Sequence, residues 1–131
     1  MLAVRKAAHL GQVSTIRFSL DGAHLITASN DATVKVWRTS DLVRRGGSAE
    51  LTGTTAPARH TWSDHSLPVT DVFCGYGGIG SRVVTASKDC SCKLYELASG
   101  ALLRSFVHGL RHHFWTFTSC FSAPFHPPQA V

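Results

Sequence analysis

Histidine, threonine and aspartate recur in this sequence in sets that contain the parts of a hydrolytic site. One set is His9, Thr27 and Asp31. An imidazole base, a hydroxyl nucleophile and a carboxylate that orients the base together make a catalytic triad. A working triad also needs an exposed nucleophile, oxyanion donors and a cleft, whereas Thr27 lies in the middle of a predicted strand. We therefore interpret the set as structural and predict that the protein is not an enzyme.

Three further motifs could suggest a ligand, and each has a simpler interpretation. The glycine-rich run at residues 75–80 would have to open a helix to cradle a phosphate, but a predicted strand follows it. Cys90 and Cys92 have one residue between them, not the two of a zinc knuckle, and no second pair completes four ligands. His112 and His113 are adjacent, so they point in different directions on any regular element. We predict no metal ion and no cofactor.

The composition is that of a globular protein, with 44% hydrophobic and 16% charged residues. No run of eighteen apolar residues predicts a membrane-spanning helix, and no apolar segment near Met1 resembles a secretion signal. Thiols stay reduced in the cytosol and nucleus. We therefore expect no contact with a membrane and four free cysteines, at positions 74, 90, 92 and 120.

Two segments of the chain repeat one pattern. Each begins with Thr-Ala-Ser, has an Asp two residues later, and places an aromatic residue six residues after the Asp. The first copy runs from Thr27 to Trp37 and the second from Thr85 to Tyr95. Agreement at this many positions indicates an internal repeat, which points to a fold built from stacked units.

Short alternating runs separated by turn residues predict an antiparallel meander of strands. A fourth strand of the second unit is predicted at residues 101–107, and residues 39–57 form a long loop that ends in a strand near residues 59–62. The fold class is therefore all-β, with two antiparallel sheets of about four strands each. The predicted strand centres lie near Ile16, Leu25, Val34, Val72, Val83 and Leu94.

These repeats resemble the WD40 family, in which a His, a Thr, an Asp and a Trp form a buried hydrogen-bond tetrad in each blade of a β-propeller. The resemblance implies a partial propeller of two blades that is not a closed ring. It assigns a closing strand of a missing blade to residues 1–8, one repeat each to 9–62 and 63–107, and a divergent aromatic and proline-rich tail to 108–131. The implied structural tetrads are His9, Thr27, Asp31 and Trp37, and His65, Thr85, Asp89 and Tyr95. In the second tetrad, Tyr95 offers a phenol O–H in place of an indole N–H.

A closer likeness within the family covers most of residues 9–107 and is most specific at residues 59–78, which include Thr61-Trp62-Ser63-Asp64-His65. It resembles a WD40 subunit of a nuclear complex that matures the pre-60S ribosomal particle. The likeness implies a scaffold that binds protein subunits of that complex in the nucleus, in the nucleolus or nucleoplasm, with the cytoplasm left open as a further location. It also implies a link to DNA replication licensing. The alternative is a generic WD40 adaptor in a ubiquitin-ligase or signalling complex. A net charge of +5 leaves weak or indirect RNA contact open as a third possibility.

Two blades cannot close a ring, since closed propellers have about four to eight blades. The chain therefore resembles a fragment or a short form, and some apolar faces must lack a neighbouring blade. Exposed apolar faces and unpaired strand edges favour association. We expect the isolated chain to self-associate.

Overall fold

The structure is a computed structural model that describes residues 8–43, 57–75 and 82–107. These residues form two four-stranded antiparallel sheets, in the orders β1-β2-β3-β4 and β5-β6-β7-β8, and the sheets do not close a ring. The predicted all-β class is confirmed, and all six predicted strand centres lie inside strands. The strands are β1 Val13–Phe18, β2 His24–Ser29, β3 Val34–Arg38, β4 His60–Trp62, β5 Val69–Cys74, β6 Arg82–Ser87, β7 Ser91–Glu96 and β8 Leu102–Val107.

Residue chemistry explains the turn between β1 and β2 and the turns before β3 and β7. Between β1 and β2, Gly22 has a φ of +70°, and the Asp21 carboxylate accepts from the Ala23 N–H at 3.0 Å. The turns before β3 and β7 are equivalent to each other. Ala32 and Cys90 there have φ values of +68° and +65°, a left-handed conformation that is uncommon outside glycine. The aspartate immediately before each of them holds the turn, as described below.

The main core lies between the two sheets. Residues paired across antiparallel strands point to the same face, so the pairs Ile26–Val36 and Ala28–Val34 form one apolar face of the first sheet. It packs against the face of the second sheet that carries Val72, Cys74, Val83 and Tyr95. All of these side chains belong to one buried cluster, with Trp62, Val69 and Leu97.

The short strand β4 joins the first sheet to the second. The Trp62 indole N–H donates to the Gly100 carbonyl at 2.9 Å, and its ring stacks on Tyr95 at a centroid distance of 4.1 Å. The His60 Nε2 lies 2.9 Å from the Leu97 carbonyl oxygen. The strand predicted near residues 59–62 is therefore confirmed, and its function in the fold is to fix the two sheets together.

The predicted loop at residues 39–57 begins differently from the expectation. Thr39–Val43 forms a short helix, α1, where an extended loop was predicted. The Thr39 hydroxyl donates to the Gly22 carbonyl at 2.5 Å, which fixes the start of α1 against the β1–β2 turn, and Asp41 lies in its first turn, where a negative charge is favourable. Residues 44–56 of this segment, together with 1–7, 76–81 and 108–131, lie outside the described residues.

Equivalent positions of the two sheets differ in their burial. Val72 and Cys74 are 1% and 7% exposed, whereas Ile16 and Phe18, at the matching places of β1, are 52% and 58% exposed. The face that covers Val72 and Cys74 belongs to the first sheet, and the described residues supply no third sheet for Ile16 and Phe18. This contrast is the one expected for two blades that do not close a ring.

The described cysteines do not all have the expected state. Cys74 and Cys90 are free, but Cys92 is disulfide-bonded, so the expectation of four free thiols is wrong for this residue, whose side chain is 1% exposed.

No helix in the described ranges is long and apolar enough to span a membrane.

Candidate functional site

The first predicted tetrad is brought together by β2, β3 and the segment before β1. His9 Nε2 lies 2.7 Å from the Thr27 hydroxyl oxygen, and the Trp37 indole N–H donates to that oxygen at 3.0 Å. His9 Nδ1 lies 3.1 Å from Asp31 Oδ2. Each of these polar groups has a hydrogen-bond partner when His9 carries its proton on Nδ1, because Nδ1 then donates to Asp31 and Nε2 accepts from the Thr27 hydroxyl. Burial lowers the pKa of His9 despite the nearby Asp31 carboxylate, which agrees with this neutral form.

Asp31 is the member of the network with the most hydrogen bonds. Its Oδ1 accepts from the Thr33 N–H at 2.8 Å and from the Thr33 hydroxyl at 2.6 Å. Its Oδ2 accepts from the Leu10 N–H at 3.0 Å, in addition to His9. Burial alone would raise the pKa of Asp31, but these hydrogen bonds outweigh it and lower the pKa to about 2. The carboxylate therefore stays ionised and fixes the turn before β3 to the chain that precedes β1.

The second sheet contains the same arrangement at matching positions. His65 Nε2 lies 2.7 Å from the Thr85 hydroxyl, and His65 Nδ1 lies 3.0 Å from Asp89 Oδ2. Asp89 also accepts from the Ser66 N–H and from the Ser91 N–H. Burial lowers the pKa of His65, and hydrogen bonds lower the pKa of Asp89 against the opposing effect of its burial.

Tyr95 departs from the predicted second tetrad. Its hydroxyl donates to Asp64 Oδ2 at 2.9 Å, so it does not occupy the place that the Trp37 indole N–H takes beside Thr27. The phenol oxygen lies at the far tip of the ring, whereas the indole nitrogen lies on its side, so the two groups reach different acceptors. Burial and the Asp64 carboxylate both raise the pKa of Tyr95. Three members of this set form the network, and the fourth is part of the Trp62 stack instead.

Sequence reasoning missed two hydroxyl groups of these networks and misplaced one lysine. Thr33 and Ser91 both donate to the carboxylate two residues before them. The sequence does show these two residues, because both repeats place a hydroxyl residue two positions after the Asp. The alternation of residues 33–37 in the sequence predicts that Lys35 lies on the solvent side of its strand, but Lys35 is half-buried and donates to the Ala8 carbonyl at 2.8 Å. Its side chain lies on the same face as Thr27, which explains the partner.

The geometry of both networks suits structure and not catalysis. Thr27 and Thr85 are 7% and 0% exposed, and each hydroxyl is already bonded to a histidine. A nucleophile in this position would have no space for a substrate. Within residues 8–43, 57–75 and 82–107, no three His, Cys, Asp or Glu side chains are placed to hold a metal ion. Fully satisfied buried polar networks of this kind rigidify the fold.

Comparison with known families identifies the repeat. The family model described as "WD40: WD domain, G-beta repeat" matches residues 3–38 and 57–96. Two solved structures share the fold. One is a chain of the mitotic checkpoint complex, with a TM-score of 0.59, 19% identity, and coverage of 76% of this chain and 26% of that one. The other is the C-terminal WD40 domain of Sif2, with a TM-score of 0.58, 21% identity, and coverage of 77% and 24%.

Curated relatives are more similar in sequence. WD repeat-containing protein 18 of Rattus norvegicus is 41% identical over 104 residues, which are 79% of this chain and 23% of the relative. The Pre-rRNA-processing protein IPI3 of Meyerozyma guilliermondii is 36% identical over 103 residues, 78% of this chain and 22% of the relative. The chain thus spans less than a quarter of the length of these relatives. With the family model matching more than half of its residues, the chain belongs to the WD40 repeat family.

Proposed function

We propose that this chain is a non-enzymatic WD40 scaffold in the processing of pre-ribosomal RNA, and that it acts in a nuclear complex that matures the pre-60S particle. One observation carries the proposal. Similarity to WD repeat-containing protein 18 is 41% over 104 residues, whereas WD40 proteins of the same fold are 19% and 21% identical. The sequence identity with this relative is therefore higher than the identity found between WD40 proteins that share only the fold.

The names of the fungal relatives give the proposed process. The IPI3 protein and the Schizosaccharomyces pombe protein crb3/ipi3, which is 34% identical over 97 residues, are both called pre-rRNA-processing proteins. Transferred to this chain, that process supports action in the nucleus or nucleolus, with protein subunits of the maturation complex as partners. RNA contact would be weak or indirect. The link to DNA replication licensing stays a prediction from the resemblance.

The structure supports a scaffold in one specific way. The polar groups that could have done chemistry are buried and bonded to one another, as Asp31 and Asp89 show. The accessible surface instead includes eleven large hydrophobic side chains. These side chains are available for contact with a neighbouring protein surface, whether another part of a propeller or a partner subunit.

Affinity purification of the tagged full chain from nuclear extract tests the proposal. Recovery of pre-60S assembly factors, unaffected by RNase, supports it. Recovery of ubiquitin-ligase or signalling subunits supports the generic adaptor instead, and RNase-sensitive recovery supports direct RNA binding. Either of these two results refutes the proposed function. The exposed-site variant Asn30→Ala is the matched control for folding, and Asp31→Ala is the variant that should lose every specific partner.

A further inference from the structure

The outer face of the second sheet, which points away from the first sheet, is buried at its centre. Side chains alternate between the two faces of a sheet, so Val83 packs against the first sheet and Val84 points outward. Val84, Ala86 and Cys92 form the centre of the outer face, and each is 1% exposed. Ala86 pairs with Cys92 across β6 and β7, and the two form a buried cluster that is separate from the main core.

The first sheet shows what burial of this kind requires. The three matching positions of the first repeat are at most 1% exposed because the second sheet covers them. They are Ile26, Ala28 and Val34. The described ranges contain no third sheet that could cover the second sheet in the same way. The atoms that bury its outer face must therefore belong to another segment of the chain.

The state of Cys92 identifies that segment. Cys92 is disulfide-bonded, and the chain has four cysteines, at positions 74, 90, 92 and 120. Cys74 and Cys90 take no part in a disulfide, so Cys120 is the partner of Cys92 by elimination. Cys120 belongs to residues 108–131, an apolar aromatic stretch of the sequence in which Phe121 is its direct neighbour. Aromatic side chains bury large areas when they pack on an apolar face.

The connection from β8 to Cys120 is long enough for this pairing. Phe106 in β8 lies opposite Cys92 in β7, and opposite Cα atoms of antiparallel strands are about 4.5–5.5 Å apart. The chain therefore leaves β8 close to Cys92. Residues 108–119 connect β8 to Cys120, and a segment of this length spans up to about 40 Å when extended. This length is enough to cross the outer face and return to Cys92.

We propose that residues 108–131 cover the outer face of the second sheet and are held there by a disulfide between Cys92 and Cys120. The aromatic side chains near Cys120 supply the apolar contact that the second sheet supplies to the first. Phe73 and Phe106 lie on the same outer face, opposite Val84 and Cys92, and remain 38% and 44% exposed. The cover is therefore centred on Cys92 and leaves the rim of the face open.

A disulfide in this place makes the cover sensitive to reduction. A dithiol passes two electrons and two protons to the disulfide and becomes a disulfide itself, while the bond between Cys92 and Cys120 breaks and leaves two thiols. The C-terminal segment is then held by noncovalent contacts alone, and the outer face loses its fixed cover. The proposal does not rest on the proposed function, because it uses only the sulfur pairing and the burial of this face.

Peptide mapping of the full chain, equilibrated with a small-molecule disulfide and then alkylated, tests the sulfur pairing. Trypsin releases residues 89–93 as one peptide that holds both Cys90 and Cys92, so Cys90→Ser is the matched control for Cys92→Ser. We expect this peptide to be linked to residues 112–131 in the wild type and in Cys90→Ser, and the link to be lost in Cys92→Ser. No linked peptide in the wild type, a link that survives in Cys92→Ser, or its loss in Cys90→Ser overturns the proposal.

Thermal unfolding and the binding of an apolar fluorescent dye test the cover itself. Reduction of the disulfide-equilibrated wild type with dithiothreitol should lower Tm by at least about 5 °C and increase the amount of dye bound. Cys120→Ser should show both changes without reductant, and it keeps the test valid if Cys92→Ser fails to fold. Cys90→Ser should behave as the wild type. A wild-type Tm and dye binding that do not change on reduction would show that the disulfide holds no cover on this face.

Discussion

The replacement Asp31→Ala should destabilise the chain by about 2–4 kcal/mol, because it removes one acceptor and strands several donors. Asp31 accepts four hydrogen bonds, from Leu10, from His9 and twice from Thr33. The His9 side chain is 0% exposed and Asp31 is 11% exposed, so water cannot replace all of these bonds. The same hydrogen bonds lower the pKa of Asp31 to about 2, so the carboxylate is ionised at neutral pH and its bonds are charge-assisted.

Thermal unfolding of the full chain at pH 7 and fixed protein concentration measures this effect. For a chain of this size the loss corresponds to a fall in Tm of about 6–12 °C. Asn30→Ala is the matched control, since Asn30 is the exposed neighbour in the same turn, and it should change Tm by less than about 2 °C. Lys35→Ala is unsuitable as a control, because Lys35 donates to the Ala8 carbonyl. Equal shifts for Asp31→Ala and Asn30→Ala would refute the reasoning.

Three further predictions follow from the second sheet and from the buried histidines. Tyr95→Phe removes the hydrogen bond to Asp64 and should cost about 1 kcal/mol; in a double-mutant cycle with Asp64→Ala the two losses should not add, and full additivity would argue against the pair. Stability should fall as the pH drops below 6.5, because burial lowers the folded-state pKa of His9 and His65 and the unfolded chain therefore binds more protons than the folded one. Urea unfolding from pH 8 to 5 measures the free energy of unfolding, and a value that does not change with pH contradicts this prediction. Gly100→Ala should lower Tm strongly, since Gly100 has a φ of +75° and an added Cβ would lie 2.5 Å from the Nδ1 atom of His60 in β4. An unchanged Tm would show that this turn is not fixed against β4.

The repeat pattern was enough to predict both sheets, because the alternation of strand residues and the Asp-containing turn are local features. Thr27 and Thr85 lie at the centres of β2 and β6, where the pattern placed them. The Asp positions of both networks also followed from the repeat, whereas the His positions followed only from the resemblance to the WD40 family. The hydroxyls of Thr33 and Ser91 were equally local and could have been included.

What the sequence could not predict depends on contacts between distant segments. The direction of the Tyr95 hydroxyl depends on Asp64, 31 positions away, and on the Trp62 ring that covers it. The partial burial of Lys35 depends on a carbonyl 27 positions away. The helix Thr39–Val43 has only five residues, too few to show the apolar periodicity by which helices are recognised in a sequence.

Depletion of the endogenous protein from cells tests most directly whether the chain acts in pre-ribosomal RNA processing. The measurement is the level of large-subunit rRNA precursors after depletion of the endogenous protein, with and without re-expression of the chain. We predict that precursors accumulate on depletion, and that the wild-type chain and Asn30→Ala reduce them while Asp31→Ala does not. Precursor levels that stay unchanged on depletion, with small-subunit rRNA as the internal reference, would contradict the claim.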